Sequence, residues 1–333
     1  MKTRLGMGAL FMFQNILVPL DGSALAEAAL PHAEAFSAAF GATLRLLRVI
    51  PVRRRAGAAP MDIIDRRLGH VEADAYLNGL ALALRARGVA IETEVVEGQP
   101  PDRILESLRA HRHDLIVLTT HGAGGCTEFP ISGTANKVVT RAGISVLILP
   151  VADDTAARAA PAGKYTRILV GLDGSRRGDW TLAPVAAFAR RTGAELLLAH
   201  IVHVPEIVEE PPSPELHEAA ERFVMLNREA AERHLAEAQR RFESPDLLIR
   251  TRIVVSSRVP EALADLAETE QADLVVLTAH GASMSTRCPY GAVALQVLAG
   301  ARRPLLIAQD APRHAPTART PHASARTTDI HHR

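Results

Sequence analysis

Two acidic turns and two histidine–glycine loops are the parts of this chain whose residue types could handle a ligand. Asp21-Gly22-Ser23 follows a short apolar run, and Asp173-Gly174-Ser175 follows a near-copy of that run. Farther along, Thr119-Thr120-His121-Gly122 is answered by Thr278-Ala279-His280-Gly281. Ten residues separate Gly122 from Gly133, which Thr134 follows; nine separate Gly281 from Gly291. Glycine lets a backbone approach a phosphate closely with its N–H groups turned inward. Gly133 and Gly291 each open a helical pattern, and helix N-termini attract anions. The Thr134 hydroxyl would add a donor to a phosphate oxygen. Asp21 and Asp173 could orient a ribose hydroxyl or accept from an adenine amino group; the plainer alternative is turn formation with the glycine that follows.

Other reactive side chains carry less. His121 and His280 could serve as general acids, but a histidine packed against its loop is the plainer reading of their place. Cys126 and Cys288 lie in the two glycine loops at different spacings, with no C-x-x-C pair and no zinc spacing. A helix N-terminus could lower a thiol pKa there for redox sensing, and an ordinary reduced thiol is the simpler reading. Lysine occurs only at Lys2, Lys137 and Lys164, and no G-x4-G-K-[ST] loop exists, which excludes a P-loop phosphotransferase. The first strand–helix turn lacks G-x-G-x-x-G, which argues against a dinucleotide-dependent enzyme. No dedicated catalytic machinery is visible.

The elements that must position these loops alternate strand and helix. In the first copy, strands are expected at 16–20, 43–49, 89–96, 115–119 and 144–149, as short apolar runs of the kind a doubly covered parallel sheet buries. In the second they fall at 168–172, 195–202, 247–255, 274–278 and 305–308. Ser23 is a natural N-cap for a helix that Gly41 ends, and Gly88 stops a long helix over about 64–87. Pro31 and Pro184 fall inside corresponding helices and should bend each one. The longest helix, 214–242, carries a heavily charged, solvated side. Such alternation implies an α/β fold with doubly wound parallel sheets and right-handed crossovers. Ligands then settle beyond the carboxyl ends of the strands, where strand order reverses, here beside the first strand.

The recurrence spans a whole domain, so the 333-residue chain is a duplicated globular unit: residues 12–151 and 165–309, a linker at 152–164 and a disordered tail at 310–333. The tail is rich in Ala, Arg, Thr, Pro and His without periodicity, and its histidines are too loosely clustered for a defined metal site. Hydrophobic residues make up 47% and aromatics 4%, so the cores are built of Ala, Leu, Val and Ile. A net charge of +1 with no basic stripe excludes nucleic-acid binding as the main task. No run reaches the ~18 apolar residues of a membrane span, and the basic-then-apolar N-terminus lacks a cleavage site. A cytoplasmic location is expected.

ILVPLDGS, followed by LTTHG, a spacer and Gly-Thr ahead of a terminal strand, resembles the universal stress protein family. The likeness covers nearly the full length twice, as in tandem members. It implies two Rossmann-like five-stranded parallel sheets in the order 3-2-1-4-5. It also implies ATP as ligand, held by G-x2-G-x9-G-[S/T], with the magnesium question open. By that resemblance the base and ribose contacts are Pro19, Asp21 and Val49 in the first copy and Gly171, Asp173 and Ile201 in the second. The phosphate contacts are Gly122, Gly133 and Thr134, and Gly281 and Gly291. Thr119 and Thr278 stand where the motif has its first glycine. The first copy has one extra spacer residue and Glu128 in its loop; the second has Arg287, a cation suited to phosphate, but Ala292 in place of the hydroxyl. The expected role is a nucleotide-binding regulator acting through conformation or an unidentified protein partner. The two copies would pair as an intramolecular pseudo-dimer through their terminal strands, and a homodimer is conceivable. The alternative is an interaction protein that uses the same pairing without nucleotide.

Overall fold

The computed structural model describes residues 13–52, 61–125, 131–151, 163–205, 213–281 and 289–309. Most of the expected linker, the tail, both cysteines, Glu128 and Arg287 lie outside these residues.

The first half runs β1 (Asn15–Leu20), α1 (Ala24–Glu27), α2 (Ala29–Phe40), β2 (Thr43–Pro51), α3 (Met61–Arg85), β3 (Ile91–Gly98), α4 (Pro100–Ala110), β4 (Leu115–Thr119), α5 (Gly133–Ala142) and β5 (Ser145–Leu149). The second half repeats the order: β6 (Arg167–Gly171), α6 (Arg176–Trp180), α7 (Leu182–Thr192), β7 (Glu195–His203), α8 (Pro214–Phe242), β8 (Ile249–Ser256), α9 (Val259–Thr269), β9 (Leu274–Thr278), α10 (Ala292–Ala299) and β10 (Leu305–Ala308).

Alternate residues of each strand feed opposite faces, which is why the strands read as unbroken apolar runs. Leu44 and Leu46 of β2 join the layer under α2 and α3, while Leu47 and Val49 join the layer under α4 and α5. The prolines split helices rather than bend them. Pro31 has no N–H to donate one turn back, and α1 and α2 part at Ala28. Pro184 accompanies the same break at Thr181 between α6 and α7. Gly41 and Gly193 close α2 and α7 with φ of 70° and 73°, the left-handed geometry that favours glycine.

Each half is parallel in the order β3-β2-β1-β4-β5, or its counterpart β8-β7-β6-β9-β10. The two are joined into one ten-stranded sheet by β5 and β10, which pair antiparallel, with Leu306 opposite Leu147. Strands of the two halves therefore point in opposite directions, and their carboxyl ends open at opposite edges of the sheet.

The junction is also closed by side chains. Phe36 and Phe40 of α2 pack against Phe188 of α7, with the Phe36 and Phe188 rings 4.4 Å apart. The Tyr290 hydroxyl donates to the Ile144 carbonyl at 2.6 Å, and the Ser145 hydroxyl accepts from Gln309 N–H at 3.1 Å. Among the described residues, no helix is long and apolar enough to cross a membrane.

Candidate functional site

The carboxyl ends of β1 and β4 come together at Asp21. Its Oδ1 accepts from the Ser23 N–H at 3.0 Å and from the Ser23 hydroxyl at 2.6 Å. Its Oδ2 accepts from the Ala123 N–H at 2.6 Å, tying the turn after β1 to the loop after β4. Burial opposes ionisation here, but these donors and the nearby Arg48 outweigh it and hold the carboxyl below its ordinary value. Asp21 is thus an acceptor, with three of its roughly four lone-pair positions engaged. What remains on Oδ2 can take one hydroxyl or amino hydrogen.

Gly122 is explained by that carboxylate. A Cβ on Gly122 would fall inside the contact radius of Asp21 Oδ2, and a Cβ on Gly281 would do the same to Asp173 Oδ2. Neither glycine has a positive φ, so space and not backbone strain fixes the residue type. Asp173 repeats the turn, accepting from the Ser175 N–H at 3.0 Å. Ser23 and Ser175 also cap α1 and α6, accepting from Ala26 and Gly178. The predicted pairing of the two post-strand loops holds in both halves.

The phosphate side needs one correction. Gly133 and Gly291 are not equivalent. Ser132 N–H donates to the Thr120 carbonyl at 2.7 Å, and Gly291 N–H donates to the Ala279 carbonyl at 2.6 Å. Ser132 and Gly291 are also both N-caps, with φ/ψ of −64°/153° and −70°/162°. The spacer is therefore the same length in both halves, and the expected extra residue in the first copy disappears. Ser132 takes the glycine position and accepts from Ala135 N–H at 3.3 Å; Gly133 and Thr134 follow as the exposed first residues of α5. In the second half Gly291 holds the position of Ser132, Ala292 and Val293 follow it, and no side chain caps α10.

Thr119 turns away from any ligand: it is buried, and its hydroxyl donates to the His121 carbonyl at 2.6 Å. Thr278 is half-buried at the same place. His121 and His280 are buried under their loops, with His121 Nδ1 3.1 Å from the Thr120 hydroxyl. That packing is the simpler of the two roles considered for them. Pro19 is half-buried in β1. Gly171 takes its place in β6, where the Leu277 side chain fills the space a Cβ would need, at 2.5 Å. Val49 is buried among α4 and α5 residues, and Ile201 packs against the corresponding layer.

On the other face of the sheet lies a polar group absent from the sequence reading. The Arg48 guanidinium covers the Asp21–Gly22 turn, 3.6–3.7 Å from where a Gly22 Cβ would be, and its Nη1 donates to the Leu20 carbonyl at 3.4 Å. His200 covers Gly174 in the same way, at 3.8 Å. Beside each is a residue of the long helix paired with an acid six positions past the aspartate. Tyr76 donates to Glu27 at 2.9 Å, and His234 Nε2 lies 2.7 Å from Asp179. Burial, with help from Glu27, holds the Tyr76 phenol well above its ordinary range. Burial and His234 lower the His200 pKa against the pull of Asp173. The halves share geometry but differ in charge: the first has a permanent cation over its turn, the second a titratable one. The repeated residue offset, not residue type, was the signal available for finding this group.

A family model described as Universal stress protein family matches residues 12–150 and again 164–309. The chain is 29% identical over 240 residues to Universal stress protein Rv2005c of Mycobacterium tuberculosis, covering 70% of this chain and 75% of that one. It is 24% identical over 300 residues to a universal stress protein of Mycolicibacterium smegmatis, covering 88% and 96%. It superposes on the crystal structure of a universal stress protein from Archaeoglobus fulgidus with a TM-score of 0.63 at 17% identity, covering 90% of this chain and 98% of that one.

Proposed function

Because the chain belongs to the universal stress protein family in both of its halves, we propose that it binds adenine nucleotide at the carboxyl edge of each half-sheet and acts through conformation or partner binding. The observation that carries this reading is the Asp–Gly pairing, repeated at both edges. In the first half the ionised Asp21 carboxylate keeps an acceptor position where strand order reverses, the general ligand position of such sheets. Asp21 and Asp173 would accept from the ribose or the adenine amino group. Val49 and Ile201 would flank the base, and the N-termini of α5 and α10 would face the phosphates, with Gly133 and Thr134 in one half and Gly291 in the other. Arg287 would add a cation to the second.

Binding at the turn would also lock two loops together, because Asp21 already bridges them. That is a route from ligand to conformation needing no catalytic step. Calorimetric titration of the full chain with ATP tests the reading. Two weak-to-moderate sites are expected, with Asp21→Asn removing one and Asp173→Asn the other. No heat and no thermal shift at millimolar nucleotide would leave the alternative of a nucleotide-independent interaction protein, favoured by the inward-turned Thr119 hydroxyl and by Ser132 in the glycine position.

A further inference from the structure

The two long helices carry apolar residues on faces that their own core does not use. In α3 the core takes Ala73, Leu77, Ala81 and Leu84. A second series, Leu68, Val71, Ala75, Asn78 and Leu82, is wholly exposed and spaced three, four, three, four. In α8 the buried residues are Ala231, Leu235, Ala238 and Phe242, so the first four turns or so contribute none. There the exposed series is Leu216, Ala219, Phe223, Leu226 and Ala230, again three, four, three, four. Six of the eleven large hydrophobics exposed among the described residues fall on these two series, including Val71 at 64% and Phe223 at 49%. That spacing is the seam of a helix pair, every 3.5 residues, and each seam is without its mate among the described residues. The helices cannot mate with each other internally, since α3 lies over β2 and β3 at one end of the sheet and α8 over β7 and β8 at the other.

We infer that α3 of one copy docks antiparallel on α8 of a second copy. Set antiparallel, Leu68 meets Leu226, Val71 meets Phe223, Ala75 meets Ala219 and Asn78 meets Leu216 of the second copy. Three of these four layers are then apolar on both sides, with Asn78 set against Leu216 in the fourth, and a small pair sits beside a large one. The same register decides the flanking charges. Arg67 faces Glu229 and Asp74 faces Arg222, both of opposite sign. Glu229 contacts Arg233 of its own helix at 3.9 Å, an exposed contact that costs little to exchange. α3 and α8 cover the same side of the sheet, since Leu77 and Leu235 belong to one core layer. A two-fold axis that repeats the contact reciprocally closes the assembly as a dimer. This surface is independent of nucleotide binding.

Sedimentation equilibrium of the full chain, with circular dichroism to confirm folding, tests it. Reversible dimerisation is expected, with Phe223→Asp shifting the population to monomer without changing the spectrum. Asp74→Arg and Arg222→Asp should each weaken association about tenfold, and together restore it. With Cys126 and Cys288 changed to serine, Ala75→Cys combined with Ala219→Cys should give a disulfide-linked dimer under oxidation. A chain that stays monomeric at every concentration overturns the inference. So does a dimer indifferent to Phe223→Asp, or a charge reversal that the second reversal does not rescue.

Discussion

The Tyr165 hydroxyl, at the start of the second half, lies 2.7 Å from His32 Nδ1 of α2 in the first half. Burial keeps the Tyr165 phenol protonated far above its ordinary range and pushes the His32 pKa down to about 4. Tyrosine is therefore the donor and a neutral imidazole the acceptor, across the join between halves.

That pairing makes stability depend on pH. The unfolded chain protonates His32 below about 6.5, whereas the folded chain resists until about 4. Stability is complete above the unfolded value and is lost as pH falls between the two, by up to about 3 kcal/mol. His113, also pushed down to about 4 by burial, adds to the slope. Asp114, pushed up to about 6 by burial, opposes it. Urea unfolding of wild type and His32→Gln separates the terms. Glutamine keeps an acceptor for Tyr165 and removes the titration, so its stability should fall less between neutral pH and about pH 5. Parallel curves for the two proteins would mean His32 is not the group responsible.

The contact between Asp21 and Gly122 predicts a coupled substitution pair. Gly122→Ala should destabilise by about 1–3 kcal/mol, because the new methyl displaces the carboxylate from the Ala123 N–H. In an Asp21→Gly background the same change should cost far less, leaving a coupling of about 1 kcal/mol or more. Additive costs would place the strain elsewhere in the loop. Gly281 and Asp173 should behave alike.

How much of this was legible in the amino-acid string follows from what each feature depends on. Strands such as 115–119 were visible because parallel strands covered on both sides must be apolar throughout, and Ser23 and Gly41 announced helix ends by local chemistry. The α5 alignment was not visible. Gly133 attracted the motif by residue type, while the true equivalence of Ser132 with Gly291 is set by backbone hydrogen bonds to the Thr120 and Ala279 carbonyls. Arg48 and His200 were missed because they differ in type while sharing a position. The seams on α3 and α8 hid within helices whose charged sides looked like ordinary solvated faces.

The corrected alignment carries a prediction for the second half. Ala292 occupies the position after the cap, where the resemblance expects a serine or threonine hydroxyl for phosphate. It is exposed, so a hydroxyl fits without repacking. Ala292→Ser should tighten ATP binding at that half about tenfold, the value of one added hydrogen bond to a charged oxygen. Ser132→Ala, in contrast, should cost about 1 kcal/mol of stability by removing the α5 cap. An unchanged affinity in Ala292→Ser would argue that phosphates do not approach α10.

The differing bases over the two turns predict different pH behaviour of the two sites. Arg48 keeps its charge at any working pH, so ATP affinity in the first half should be nearly flat from about pH 8 to 6. His200 is neutral near pH 7, since burial and His234 lower its pKa despite Asp173. An anionic ligand favours the protonated form. Affinity in the second half should therefore rise as pH falls from neutral into the acidic range, and binding should take up a proton. The measurement is calorimetry across pH in a Gly122→Val protein, which isolates the second site. His200→Arg should tighten that site and flatten its profile, and Arg48→His, in a Gly281→Val protein, should give the first site the slope it lacks. If the second site keeps a flat profile with His200 in place, that side chain does not face the ligand and the two halves read their nucleotide alike.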